Sequence, residues 1–199
     1  MKGEIKTRKH SSIILFTETH IHPTLKYIHP MPSLRKSYPY FSLNCCTSNS
    51  GGVAVLSKFP LNVLYKHKSG NLIHFSITDD NLNTLSFIHC YCAPKRRNYY
   101  YRLILKRFNV VPESIITGDF NTNILNDKHS SYFKSMILTP LCMTPCQTPS
   151  KAKPTFYPRG RGKPKPLDWI LLPPSISSLT SSVLKILPQS KPLYQIIVY

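Results

Sequence analysis

Short apolar runs, each ending in polar residues, constrain this chain more than any other feature. Ile13-Ile14-Leu15-Phe16 leads into Thr17-Glu18-Thr19-His20, and Ser114-Ile115-Ile116-Thr117 leads into Gly118-Asp119-Phe120-Asn121. Thr84 to Cys92 is stopped by Ala93-Pro94, and Pro166-Leu167-Asp168 opens Trp169-Ile170-Leu171-Leu172. Runs this short and this apolar read as buried strands rather than helices. A polar cluster at the end of a buried strand sits where a core meets solvent, which is where sites are built.

Other segments add to the same pattern. Gly51-Gly52 is a turn entering the strand Val53-Ala54-Val55-Leu56, and Lys58 to Lys66 is expected to return as its hairpin partner. Ile73, Phe75 and Ile77 alternate with His74, Ser76 and Thr78, the period of a half-buried strand. Val183 to Leu187 and Gln195 to Val198 are further strands. Tyr99 to Val110 spaces Leu103, Ile104 and Phe108 as an amphipathic helix with Arg102, Lys106 and Arg107 on its outer face. Ser130 to Leu138 is a second helix. Thr24 to Tyr40 is proline-rich and irregular, and residues 139–166 read as a long loop. The sum is a single mixed α/β (α+β) domain over residues 1–199.

Of 199 residues, 26 are basic and 8 acidic, a net charge of +18. Such an excess points to a polyanion: nucleic acid leads, DNA first, and an anionic membrane surface comes second. No apolar run approaches the roughly 18 to 20 residues of a membrane span. The chain is expected to be intracellular, with the nucleus as a candidate compartment. Cys45, Cys46, Cys90, Cys92, Cys142 and Cys146 contain no Cys-x-x-Cys pair, and no His follows His129. Reduced, mostly buried thiols are expected, not a structural zinc site.

Asp119 and Asn121, two residues apart at a strand end, are expected on one side, where they can serve a divalent metal and a water aimed at phosphorus. Glu18, Asp119 and Asp168 are three of only eight acids. Each residue also has a plainer reading. Glu18 suits a solvated strand end, Tyr91 a packed aromatic, Asp119 an Asx-turn, and Asp168 a loop cap.

Taken in order, these segments resemble the endonuclease/exonuclease/phosphatase superfamily, and most of all the endonucleases of LINE-type retrotransposons. The matching segments are Thr17-Glu18-Thr19, Gly51-Gly52-Val53-Ala54-Val55, Tyr91-Cys92-Ala93-Pro94, Gly118-Asp119-Phe120-Asn121, Pro154-Thr155-Phe156 and Leu167-Asp168-Trp169. The resemblance implies a DNase I-like four-layer sandwich of two packed mixed sheets flanked by helices. It implies a Mg2+-dependent (or Mn2+-dependent) phosphodiesterase acting on DNA. Glu18 and Asp119 would hold the metal, Asp119 would orient or deprotonate the attacking water, and Asn121 and Tyr91 would contact the phosphate. Asp168 would orient a catalytic histidine. Lys95, Arg96, Arg97, Arg159, Arg161, Lys163 and Lys165 are candidate nucleic-acid contacts.

Two elements of that pattern have no counterpart. No Asn precedes Glu18, and the closing Ser-Asp-His is replaced by Leu187-Pro188-Gln189-Ser190-Lys191-Pro192-Leu193-Tyr194. Lys191 is the one charged candidate there. The expectation is a retroelement fragment, truncated at its start and degenerate near residues 188–195. Its activity would be impaired, and a sheet edge would be left open. The alternative is a non-catalytic nucleic-acid-binding remnant of the same fold.

Overall fold

The computed structural model describes residues 12–25, 28, 31–46, 51–78, 80, 82–124, 130–146, 154–157 and 163–176, with the backbone of Leu184–Leu187 and Gln195–Val198. Its strands are β1 (Ile13–Thr17), β2 (Tyr40–Asn44), β3 (Val53–Ser57), β4 (Leu61–Lys66), β5 (Leu72–Thr78), β6 (Thr84–Tyr91), β7 (Ile115–Asp119), β8 (Thr144–Pro145), β9 (Asp168–Leu172), β10 (Leu184–Leu187) and β11 (Gln195–Val198). Helix α1 is Arg97–Phe108, and α2 is Ser130–Phe133, continued by a π turn over Lys134–Leu138.

Two sheets form. The first runs β10-β11-β1-β3-β2, and the second β4-β5-β6-β7-β9-β8. Every pairing in the first is antiparallel, so only the second is mixed, through the parallel pair β6 and β7. The sandwich is DNase I-like. Ile13, Leu15, Val53 and Val55 of the first sheet meet Ile73, Phe75, Phe87, Ile115 and Ile170 of the second. The outer face of the second sheet is covered by Tyr100, Tyr101, Ile104 and Phe108 of α1 and by Phe133 of α2. Ile14, Phe16, Ala54 and Leu56 face the other way, beneath Tyr38 and Leu43. Alternation along β1 therefore feeds two separate apolar layers, and all five of its residues are buried.

Several expectations are corrected. The segment from Lys58 does not pair with β3. It crosses to the second sheet, where β4 pairs with β5. Strand β5 is half-buried only toward its end: Ser76 is partly exposed and Thr78 exposed, but His74 is as buried as its apolar neighbours. The loop 139–166 contains β8 and a bridge between Phe156 and Lys165. Strand β1 has no open edge, since β11 pairs with it from Ile13↔Val198 to Phe16↔Gln195.

Candidate active site

Three of the expected residues lie in one row across three neighbouring strands. Tyr91 on β6 is the register partner of Asp119 on β7, and Asp119 is the register partner of Asp168 on β9. Glu18 reaches the same place from the first sheet, just past β1, with φ of 51°. The Tyr91 hydroxyl is within hydrogen-bonding reach of both Glu18 and Asn121. Glu18, Tyr91, Asp119, Asn121 and Asp168 are therefore brought together at adjoining strand ends.

Asn121 arrives by a route that strand alternation does not describe. It lies past the end of β7 in the left-handed region, at φ of 49°. Its N–H donates to Asp119 Oδ1 at 2.7 Å, and its Nδ2 donates to Asp119 Oδ2 at 3.3 Å and to the Cys92 carbonyl at 3.1 Å. The Asx-turn reading of Asp119 is thus realised, and it is the turn that swings the Asn121 amide back beside the carboxylate. Arg97 Nη1 donates to the Asn121 carbonyl at 2.6 Å, and Phe120 N–H to the Leu167 carbonyl at 3.0 Å. The loop is held on both sides.

Glycines make room for this geometry. Gly118 has φ of 139°, and a Cβ there would lie 1.9 Å from the Cys90 carbonyl oxygen. Only glycine lets β7 approach β6 that closely. Gly52 (φ of 88°) accepts the Thr19 N–H on its carbonyl at 3.2 Å, and so fixes the turn that carries Glu18.

Burial and mutual repulsion set the electrostatics. Burial pushes the Asp119 carboxyl well above its usual range; Asp168 and Glu18 add repulsion, and the Asn121 N–H opposes them. Asp168 is 1% exposed, and burial raises it to about 7, with the Thr155 hydroxyl pulling down and Glu18 pushing up. Thr155 Oγ1 accepts the N–H groups of Leu167 and Asp168 at 3.0 and 3.1 Å, yet neither Asp168 carboxylate oxygen has a hydrogen-bond partner. Tyr91 is pushed above the ordinary phenol range, by burial first and then by Glu18. Its hydroxyl therefore keeps its proton at neutral pH.

A histidine outside the candidate set ties the two sheets behind the site. His89 Nε2 donates to the Phe16 carbonyl at 2.9 Å, and its Nδ1 faces Thr117 Oγ1 at 3.0 Å. A carbonyl can only accept, so Nε2 carries the proton and Nδ1 accepts from the threonine. Burial lowers His89 to about 4, which keeps it neutral. Sequence reasoning also misses Asn71. Its Oδ1 accepts the Gly52 N–H at 2.9 Å, and its carbonyl accepts the Tyr91 N–H at 2.8 Å. A lone Asn after a Gly turn carries no signal that distinguishes it from a loop residue.

Lys95, Arg96, Lys163 and Lys165 are exposed, whereas Arg97 is half-buried and turned toward Asn121. Arg159, Arg161 and Lys191 lie outside the described residues. Among the described residues no group of three His, Cys, Asp or Glu side chains forms a metal cage. The donor set still fits a hydrated hard cation. Mg2+ commonly takes one or two carboxylates and fills its remaining positions with water and phosphate. Glu18 and Asp119 are two such carboxylates, crowded together with a third. Among the described residues no helix is long and apolar enough to cross a membrane.

The sequence profile of the Endonuclease/Exonuclease/phosphatase family matches residues 7–190. No curated protein matches the sequence significantly. Solved structures do resemble the fold. A variant of the 3′ phosphatase NExo from Neisseria, bound to product DNA hairpin, aligns with a TM-score of 0.64 at 14% identity, over 94% of this chain and 88% of its own. The humanized D. rerio TDP2 aligns at 0.61 and 14%, over 94% and 84%. The endonuclease domain of TRAS1, a telomere-specific non-LTR retrotransposon, aligns at 0.59 and 12%, over 79% of each chain. With the family profile spanning nearly the whole sequence and the two-sheet sandwich beneath it, the chain belongs to the endonuclease/exonuclease/phosphatase family.

Proposed function

We propose that this chain is a divalent-metal-dependent phosphodiesterase acting on DNA, of retroelement origin. The observation that carries the reading is the convergence of Glu18, Tyr91, Asp119, Asn121 and Asp168 at the ends of strands from both sheets. Neighbours of this fold include the DNA-bound phosphatase NExo and the retrotransposon endonuclease domain of TRAS1, which supports DNA as the substrate.

Glu18 and Asp119 would hold Mg2+ or Mn2+, and the bound ion would supply positive charge against the phosphate. Asp119 orients the attacking water and accepts its proton. The proton-bearing Tyr91 hydroxyl and the Asn121 amide would donate to the phosphate as negative charge grows on it, in exchange for their present partners Glu18, Asp119 and the Cys92 carbonyl. Both donors are fixed before substrate arrives, one by its strand and the other by the Arg97-anchored loop.

Asp168 favours a second reading, a non-catalytic nucleic-acid-binding protein of the same fold. Among the described residues its two carboxylate oxygens are buried without hydrogen-bond partners, and no imidazole stands against this carboxylate for it to orient.

Supercoiled plasmid incubated with the protein in Mg2+ or Mn2+ separates the two. The first reading expects nicking that EDTA stops and Asp119→Ala abolishes. Salt-sensitive binding with no cleavage in either metal selects the second. Nicking that survives Asp119→Ala refutes the site.

A further inference from the structure

We infer that the exposed face of α1 is a track for an unpaired nucleic-acid strand leading out of the site, with Tyr99 as its stacking platform. The inference rests on the nucleic-acid reading above and deepens it. Tyr99, Arg102 and Lys106 follow one another at spacings of three and four, which places them on one side of the helix, and exposed Lys95 lies in the turn just before it. All four are exposed, while Tyr100, Tyr101, Ile104 and Phe108 hold the opposite side in the core. Neither α1 nor the β4–β5 hairpin beside it contains an Asp or Glu, so these cations have no acid within their own elements to neutralise them.

The stripe begins at the site. Pro94–Arg96 directly follows the Tyr91 segment, and Arg97 at the helix start donates to the Asn121 carbonyl at 2.6 Å. From there the stripe runs outward. Tyr99 to Lys106 spans about 10 Å of helix, long enough for Arg102 and Lys106 to meet separate phosphates of one strand.

Tyr99 is the part that chooses an unpaired strand. It is 49% exposed, yet its ring is not loose. Its hydroxyl bonds His67 Nε2 at 2.8 Å, and it packs edge-on against Tyr100 with centroids 5.4 Å apart. Exposed Lys68 lies next to that histidine. A half-exposed ring held by its hydroxyl, among cations, is the kind of platform on which an unstacked base packs whatever its sequence. A base inside a duplex is already stacked on both faces and gains nothing from it.

The test is fluorescence anisotropy in EDTA, so that cleavage plays no part. The probes are a labelled single strand of about 12 nucleotides and a hairpin duplex of equal phosphate count. Arg102→Ala/Lys106→Ala is expected to weaken single-strand binding about 10-fold at low salt, and to reduce the salt slope by about 1.4, or roughly 0.7 per lost contact. Tyr99→Ala is expected to weaken it about 10-fold with an unchanged slope, whereas Tyr99→Phe keeps wild-type affinity. Arg35→Ala/Lys36→Ala removes the same charge from the outer side of the opposite sheet and is expected to change binding less than about 2-fold.

The proposal falls if the control pair costs as much as the stripe pair, if Tyr99→Ala binds like wild type, or if duplex binding suffers equally. The same preparations go through the plasmid assay. Wild-type nicking together with unaltered binding by the stripe variants removes the track and leaves the function. A wild-type protein that neither nicks nor binds removes both.

Discussion

Asp119 and Asp168 face each other as register partners on β7 and β9, two buried carboxylates with Glu18 close enough to repel both. A folded chain holds such a group of acids only at a cost, and that cost is measurable.

Asp168→Asn is expected to stabilise the protein at pH 8. The native carboxyl titrates at about 7, above its unfolded value, so its contribution is complete below about pH 4 and is lost as pH rises through 7. Ionisation of this fully buried group costs on the order of 4 kcal/mol. The amide recovers about half of that, since it too needs partners. Urea unfolding at pH 8 and at pH 5 checks the sign: the gain shrinks at the lower pH.

His89 imposes the opposite slope. Its native value of about 4 lies below 6.5, so the neutral ring contributes fully above pH 6.5, and stability falls as pH drops toward 4. The loss is on the order of 3 kcal/mol for this fully buried ring. His74, also lowered to about 4, acts in the same sense. In an Asp168→Asn background the acid-side loss stands clear of the opposing carboxylate. His89→Gln in that background flattens part of it, read by thermal melts between pH 4 and pH 7.

Gly118→Ala is expected to abolish the native state. The new methyl would overlap the Cys90 carbonyl, main chain that cannot move without separating β6 from β7. A penalty of about 3 kcal/mol or more follows, before the cost of positive φ is added. Soluble yield and near-ultraviolet circular dichroism report it.

Arg97→Ala is expected to cost about 2 kcal/mol, the worth of a charge-assisted bond whose carbonyl partner is left unpaired. Arg97→Lys recovers a fraction, because an ammonium can reach the same oxygen without the planar fork. Chemical denaturation measures the stability. Plasmid nicking measures whether the Asn121 turn still delivers its amide.

Much of this arrangement is legible in the sequence, and what is not has physical reasons. The runs at Ile13, Val53, Ile115 and Trp169 fall where strands form, because burial on both faces leaves only apolar residues. Glu18, Tyr91, Asp119, Asn121 and Asp168 stand out by their order along the chain. The crossing of β4 to the other sheet is not legible, since hairpin and crossover share the same local turn residues. His74 reads as a solvent-side residue of an alternating strand, because α1, which covers it, lies roughly thirty residues further on in the sequence. Strand alternation puts Asn121 beside Asp119, but its own hydrogen bonds to Asp119 reverse the backbone there. Charge alone groups Arg97 with Lys95 and Arg96, and one helical turn points it inward.

The row formed by Tyr91, Asp119 and Asp168 has an implication for changes of strand length. Because Asp119 closes β7 and is fixed there by pairing and not by a loop, deleting or inserting one residue within β7 would send it to the reverse face. The apolar content would hardly change and a compact product could persist, but that carboxylate would point into the wrong layer. A one-residue change of length in β7 is thus expected to act on the site as severely as replacing Asp119 itself, while leaving the composition of the core nearly intact.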